Sequence, residues 1–174
     1  LRRIRILRGD GEQTIPVDLY RFYTLGDREA DPTVLGGDRI MVSYSQDRQV
    51  LQINGSVARP DTLEYVKGDS LSTLLRFAGG FTPSSFLDSV EIARFTPNDE
   101  GIERSFVDLS SWAGRLDDGV ALPGDIALRP GDRVYVRATP EWLRARRVVV
   151  AGEVVYPGEY AISRNGERLT EIIA

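Results

Sequence analysis

The side chains in this sequence that could carry acid-base chemistry are carboxylates, because the chain has neither histidine nor cysteine. Asp117 and Asp118 are adjacent, and six Gly-Asp dipeptides supply further acids. Paired carboxylates act as acid and base in glycoside hydrolysis. Adjacent residues of an extended chain point to opposite sides, however, and aspartate after glycine is typical of turns. We therefore predict no catalytic residue and no enzymatic activity.

Missing residue types also argue against metal and cofactor sites. Without histidine and cysteine, the commonest general base and the thiolate ligands are absent. The sequence has no glycine loop followed by Lys and Ser/Thr that would bind phosphate, and no Gly-x-Ser-x-Gly elbow. The acids between Asp27 and Asp31 do not form a twelve-residue calcium loop. We predict no cofactor and no metal.

The net charge of −4 argues against a nucleic-acid partner, which needs a concentrated basic surface. A local exception is the cluster of Arg144, Arg146 and Arg147, which follows Trp142. We interpret this cluster first as a solvated strand edge that discourages aggregation. The alternative is a contact with an anion or a sugar.

Composition predicts a folded, strand-rich chain. Hydrophobic residues make up 41% and charged residues 28%, and 17 glycines and 9 prolines separate short apolar runs. The longest of these, Val148 to Ala151, is far below the roughly 20 residues of a membrane-spanning helix, so we predict none. The N-terminus lacks a starting Met, a signal sequence and a lipoprotein cysteine, and we expect the chain to be a segment of a longer protein.

Five short motifs occur twice in the same order, which predicts an internal repeat. The matched segments are 4–8 with 90–94, 15–19 with 105–109, 35–42 with 129–136, 53–60 with 150–157, and 71–75 with 169–173. The offset grows from 86 residues (Ile4 to Val90) to 98 residues (Leu71 to Leu169). Each copy has the pattern strand, strand, short helix, Gly-Asp turn, strand, strand, Val-x-x-Pro turn, strand and helix. This order predicts an α+β unit.

The best-defined motifs lie between residues 50 and 80. Residues 50–55 alternate between apolar and polar types, and Pro60 then turns the chain into a hairpin. Ser70 is a candidate cap for a helix whose Leu71, Leu74, Leu75 and Ala78 share one face. The pair Gly79-Gly80 is typical of a left-handed helix end.

Taken together, these motifs resemble the soluble-ligand-binding β-grasp (SLBB) domain of bacterial polysaccharide export proteins. The resemblance covers residues 50–138 nearly completely; it departs at Asp61, where glycine is usual, and at residues 35–38, which lack a proline. It implies tandem β-grasp-like modules, each with a mixed curled sheet and one main helix. Residues 1–48 would be the C-terminal half of a preceding module, 49–139 a complete module, and 140–174 the N-terminal half of a following module.

The resemblance also implies a function: a non-catalytic periplasmic module of an outer-membrane exporter of capsule or exopolysaccharide. Such modules would assemble as a homo-oligomer around the export path, attached to the outer membrane through parts outside this chain. Polysaccharide and the inner-membrane export machinery would be further partners. Candidate subunit contacts are in the loop after the helix: Gly79, Gly80, Phe81, Ser84 and Ser85. For Phe81, packing against its own sheet is the alternative.

A second hypothesis is a carbohydrate- or small-ligand-binding module without a pore. Exposed aromatic rings would stack on sugars, while carboxylates and arginines would bond their hydroxyl groups. Each candidate has an alternative interpretation as an ordinary strand-face or hairpin residue, except Trp142, which is predicted in a linker between modules. The candidates are Arg59, Tyr65, Trp142, Arg144, Tyr156 and Glu159.

Two half modules would leave open sheet edges and uncovered apolar faces. Their contents are complementary, since one half lacks the strands that the other half carries. We therefore expect residues 4–44 to pair with residues 147–174 of the same or another chain.

Overall fold

The computed structural model of the chain describes residues 1–9, 11–42, 49–95, 101–116, 122–139, 146–162 and 168–172. Its strands are β1 (Ile4–Arg8), β2 (Gln13–Val17), β3 (Arg39–Val42), β4 (Val50–Gly55), β5 (Asp61–Glu64), β6 (Val90–Phe95), β7 (Ile102–Val107), β8 (Arg133–Val136), β9 (Arg146–Val150) and β10 (Gly158–Ile162). Its helices are α1 (Leu19–Leu25), α2 (Leu71–Phe77) and α3 (Leu169–Ile172), with short 3-10 turns at Arg28–Ala30 and Ser110–Trp112. The predicted α+β, strand-rich class is confirmed.

A five-stranded mixed sheet forms the centre of the fold, in the order β5-β4-β8-β6-β7. Strands β4 and β8 are parallel, and the other neighbours are antiparallel. Val134 of β8 lies opposite Ile53 on one side and Ile92 on the other. These three side chains are buried, because alternate residues of a strand point to the same face of the sheet.

Helix α2 supplies much of the core that this sheet covers. Ser70 caps it by accepting a hydrogen bond from the Thr73 N–H, and Gly79 and Gly80 follow it with positive φ, as the sequence predicts. Leu71, Leu74, Leu75, Phe77 and Ala78 are buried in one cluster with residues of the sheet. Trp112 joins the cluster, and its indole N–H donates to the Pro123 carbonyl over 2.9 Å.

The N-terminal residues form a separate three-stranded antiparallel sheet, in the order β2-β1-β3. Its own core is small and consists of Ile4, Ile6 and Val17. Helix α1 follows β2 and is capped by Asp18, which accepts from the Arg21 N–H. Tyr20 and Leu25 of α1 pack against the main core, so this helix connects the small sheet to the central one.

The small sheet repeats the strand register of the central one. Strands β1, β2 and β3 pair as β6, β7 and β8 do, with the same residues of each repeated motif opposite each other. The equivalent pairs are Ile4–Val17 with Val90–Val107, and Ile6–Ile40 with Ile92–Val134. A bidentate ion pair is repeated as well: Arg8 with Asp38 and Arg94 with Asp132. The repeated sequence motifs therefore adopt the same backbone arrangement twice.

Residues 140–174 form a second compact unit, distinct from residues 1–139. In it β9 and β10 make an antiparallel hairpin with Val150 opposite Gly158 and Val148 opposite Tyr160. Strands β4 and β5 pair in the equivalent register. Among the described strands, β1–β3 and β9–β10 belong to separate sheets. The pairing expected between these two strand sets, within one chain or between chains, stays a prediction.

The guanidinium group of Arg2 joins the small sheet to the central module. It is 3% exposed and donates to both carboxylate oxygens of Asp69, at 2.7 and 3.0 Å, and to Oδ2 of Asp18, at 3.0 and 3.1 Å. A fifth bond reaches the Glu64 carbonyl over 2.6 Å. Burial alone would lower the pKa of Arg2, but hydrogen bonds and charge from Asp69 and Asp18 outweigh it and raise that pKa. The side chain remains a cation, and every one of its N–H donors has an acceptor.

Replacing Arg2 with methionine should destabilise the chain by about 3–5 kcal/mol, because it leaves the buried Asp69 without its cation. Arg2→Lys should also be strongly destabilising, since an ammonium group cannot reproduce the planar fork. Urea unfolding checks both, with Arg5→Met as control, because Arg5 is exposed on the same strand. An Arg2→Met variant within about 1 kcal/mol of the parent would contradict the assignment of Arg2 as the anchor.

The Arg8–Asp38 pair predicts a loss of stability in acid. Hydrogen bonds from Arg8 and from the Leu35 N–H lower the pKa of Asp38 from 3.8 to about 2. Because the pKa is lower in the folded state, the stabilisation is present above the unfolded value and is lost as the pH falls from about 4 to about 2. Thermal unfolding of Asp38→Asn should therefore show a smaller fall in Tm between pH 5 and pH 2.5. Arg8→Met should weaken the same pH dependence, and unchanged slopes in both variants would argue against this cause.

Candidate functional site

Helix α1 packs beside helix α2, and Arg21 of α1 lines two cavities. The ring of Tyr20 meets that of Phe77 edge-on, with centroids 5.1 Å apart, and its hydroxyl donates to Asp61 over 3.1 Å. Arg2 stacks on the same Phe77 ring at 4.6 Å. The side chains of Tyr20 and Arg2 therefore both contact Phe77, the last residue of α2.

The first cavity, here called the arginine cavity, has a volume of about 600 Å³. Its lining residues are Arg21, Thr24, Leu25, Asp27, Arg59, Arg76, Gly79 and Leu116. Arg21 is paired with Asp27, and this hydrogen bond is the main reason why the pKa of Asp27 is lowered. Asp27 is thus an anion at neutral pH and neutralises one of the three arginines.

The other two arginines differ in how they are held. Arg76 Nε donates to the Leu116 carbonyl over 2.6 Å, which fixes the side chain at the wall of the cavity. Arg59 is exposed, and its Nη2 makes only a long bond of 3.4 Å to the Phe77 carbonyl. Within the described part of the chain, Arg59 has no carboxylate partner. Its remaining donors point to a group with acceptor oxygens as the natural occupant, since guanidinium binds carboxylates bidentately.

The second cavity, of about 730 Å³, contains charges of both signs around the Arg2 anchor. Tyr65, one of the sequence-predicted ligand residues, lies in its wall and is half-buried against the main core. Other charged lining residues are Arg2, Arg3, Arg5, Asp18, Arg21, Asp27, Glu29, Lys67 and Asp69. Arg2 forms ion pairs with Asp18 and Asp69. These three charges therefore stabilise the fold and are not available to a ligand.

The loop after α2, predicted as a subunit contact, is tied to its own module. Phe81 packs against the main core and forms a bridge with Val57, so its alternative interpretation as a core residue fits the structure. Ser85 Oγ donates to the Ser56 carbonyl, and the Ser84 carbonyl accepts from the Thr139 N–H. Gly79 is exposed, and a Cβ there would lie 3.2 Å from the Cβ of Ala58. Of the loop residues, Gly79 alone lines the arginine cavity.

The remaining sequence-predicted residues belong to the unit of residues 140–174. Tyr156 is 77% exposed, and its carbonyl accepts from the Tyr160 hydroxyl. Glu159 pairs with Arg147 on the exposed surface of the β9–β10 hairpin. Trp142 and Arg144 lie outside the described residues. The predicted ligand set is thus divided, and only Arg59 and Gly79 line the same cavity.

Sequence reasoning missed Arg2, Arg21, Asp27 and Arg76. A signal for Arg2 was present: it precedes Ile4 and Ile6 at spacings of two, which places it on the buried face of β1. For Arg21 and Arg76 no comparable signal existed, because their proximity depends on how α1 packs beside α2. No group of three or more metal-ligating side chains occurs in the part of the chain that the structure describes. Over the same residues, no helix is long and apolar enough to cross a membrane.

Comparison with known protein families matches residues 50–104 to the SLBB domain. The match covers β4, β5, α2, β6 and the first half of β7, and β8 then completes the sheet between β4 and β6. No curated protein sequence matches the chain. SLBB domains are a non-catalytic, ligand-binding family found in polysaccharide export proteins. Residues 50–104 are therefore similar to the SLBB domain, and the sheet that precedes them repeats part of the strand register of the central sheet.

Proposed function

We propose that this SLBB-containing chain is a non-catalytic periplasmic segment of an outer-membrane polysaccharide export protein. The observation that carries the proposal is the match of residues 50–104 to the SLBB domain, and the rigid connection between successive β units within residues 1–139 is consistent with it. Arg2 is buried between the small sheet and the SLBB domain, so neither part moves without breaking a five-bond network. A series of β units held in this way can line or surround a path, and neighbouring copies can assemble beside it.

The chemistry of the described residues supports a binding role and not a catalytic one. The buried acids Asp69 and Asp132 are each held by an arginine and by a backbone N–H, so they are committed to turns and ion pairs. A catalytic acid or base instead needs a cleft position within reach of a substrate. The exposed surfaces and the two cavities are the parts left for partners.

In the source cell, deleting the gene that encodes this chain should reduce cell-surface polysaccharide and leave polymer inside the cell. The wild-type gene should restore export, and cell fractionation should recover the protein with the envelope. Quantitative polysaccharide analysis of the surface and the cell interior provides the measurement. Unchanged surface polymer, or recovery of the protein in the cytosol, would refute the export role.

The arginine cavity favours a second candidate function: binding of a carboxylate-bearing sugar without a role in a pore. Arg59 would contact the carboxylate, while Thr24 is a neutral lining residue with a hydroxyl for the ring. A volume of about 600 Å³ is within the range of small-ligand sites. This candidate gives a role to Arg59, which is exposed beside Gly79 and has N–H donors that make no hydrogen bond among the described residues.

Isothermal titration with a short uronic acid oligomer tests this candidate. Arg59→Met should weaken binding roughly tenfold or more, because a charge-assisted hydrogen bond contributes about 1.5–3 kcal/mol. Arg104→Met is the matched control, since Arg104 is exposed on β7 and does not line the cavity. A neutral oligomer of equal length should bind more weakly and be indifferent to Arg59. Equal affinity of the parent and Arg59→Met for the uronic acid oligomer would exclude the cavity as its site.

A further inference from the structure

The two faces of the central sheet differ in character. On one face, Ile53 and Val134 are buried in one cluster with residues of helix α2. The opposite face carries the alternate residues of the same strands, and three of them are aromatic: Phe95, Phe106 and Tyr135 are 38%, 55% and 48% exposed. We call this surface the open face; its residues are Glu91, Phe95, Arg104, Phe106, Arg133, Tyr135 and Arg137.

The strand register places two of these rings on either side of one carboxylate. Glu91 of β6 lies opposite Phe106 of β7 on one side and opposite Tyr135 of β8 on the other. Asn54 of β4 continues the same row beyond Tyr135. Because neighbouring strands are about 4.8 Å apart, the two rings start from backbone positions about 10 Å apart. Flat apolar surfaces with polar groups between them suit successive rings of one sugar chain, which have apolar faces and hydroxyl groups at their edges.

The charges on the open face are predominantly positive. Arg104 and Arg137 both pair with Glu91, at 3.5 and 3.0 Å. Arg133 forms no ion pair or hydrogen bond within the described part of the chain, and its guanidinium carbon lies 4.9 Å from the centre of the Phe95 ring. Three arginines thus face one glutamate, on a chain whose net charge is −4. A ligand that bears carboxylates complements this surface, since guanidinium groups bind carboxylates bidentately.

The repeat in the small sheet shows that strand pairing does not require aromatic residues at these positions. Pro16 is the equivalent of Phe106 and lies opposite Arg5. Met41 is the equivalent of Tyr135 and lies opposite Arg5 as well. The strands pair in the same register in both sheets, with the rings in one sheet alone. The backbone arrangement therefore does not explain the rings, whereas contact with a ligand does.

We propose that the open face binds an acidic polysaccharide whose sugar chain lies across β7, β6 and β8. Phe106 and Tyr135 stack on sugar rings. Arg133 binds a carboxylate, and Glu91 accepts a hydrogen bond from a sugar hydroxyl. None of these residues lines the arginine cavity, so the two sites are distinct. The choice of a polysaccharide rests on the proposed function, whereas the aromatic rings and the positive charge are properties of the open face itself.

Single-stranded nucleic acid also combines flat rings with negative charge, and it binds to aromatic residues within a basic groove. The open face has a carboxylate at its centre, held there by Arg104 and Arg137. This carboxylate repels a phosphate backbone but accepts hydrogen bonds from hydroxyl groups. The net charge of the chain also lacks the basic excess that binding to phosphates needs. The observations therefore favour a sugar chain.

Affinity electrophoresis of the full chain in gels that contain polygalacturonate tests the proposal. The parent should be retarded, and Arg133→Gln should weaken binding about tenfold or more, because it removes a charge-assisted hydrogen bond. Tyr135→Thr, which keeps a residue suited to a strand, should weaken binding several-fold through the loss of stacking. Arg115→Gln and Tyr23→Ala are the matched controls, since both residues are exposed and belong to no strand of the sheet.

Circular dichroism shows whether each variant is folded. A parent chain that is not retarded, or folded variants of the open face that bind as tightly as their controls, would overturn the proposal. Gels with single-stranded DNA or with neutral dextran should retard the parent less. Equal retardation by DNA would overturn the choice of a sugar chain, and equal retardation by dextran would overturn the role of Arg133.

A nuclear magnetic resonance titration with polygalacturonate fragments locates the site. The backbone amides of residues 90–95, 102–107 and 133–137 should shift. Shifts confined to the surroundings of Arg59 and Gly79 would overturn the open face and favour the arginine cavity. The export role is tested separately by deletion of the gene. Loss of export together with no binding of polygalacturonate would overturn this site alone, and binding without an export defect would overturn the export role alone.

Discussion

A guanidinium group removed from water must find an acceptor for each of its five N–H donors and a counter-ion for its charge. Arg2 meets both conditions, but only because two different parts of the chain supply the acceptors. Asp18 comes from the end of the small sheet, whereas Asp69 and the Glu64 carbonyl come from the SLBB domain. The placement of α1 beside α2, and with it both cavities, depends on this network. Its charge and geometry hold together two sheets whose apolar contact is limited.

The same backbone arrangement occurs in two different surroundings, which separates what the local sequence specifies from what neighbours contribute. Arg8 and Asp38 form the same fork as Arg94 and Asp132, and both aspartates also accept a backbone N–H three residues before them. These contacts are local to three strands and form in either setting. Burial is different, because a strand is covered only if another element lies over it.

Binding, assembly and export make different demands on such a chain. An assembly module needs rigid connections between its parts, and the Arg2 network is such a connection between the two sheets of residues 1–139. A ligand module needs donors that the fold has not used, and Arg59 is the clearest case. The two demands fall on different side chains, Arg2 and Arg59. A single chain can therefore serve both without conflict.

The sequence by itself determined the α+β class, the order of elements, the capped helix α2 and the SLBB resemblance, because these depend on local periodicity, turn residues and short-range hydrogen bonds. It also indicated Arg59 and Gly79, although not that they line one cavity. The tertiary structure alone decided that Arg2 is an anchor, that Phe81 belongs to the core, and that Arg21 and Arg76 lie near Arg59. These outcomes depend on contacts between residues far apart in the chain, and no periodicity records which distant side chains meet. The exposure of Ile40 and Val42 shows the same limit, since their pattern equals that of the buried Val134 and Val136, and only the elements packed over each strand distinguish them.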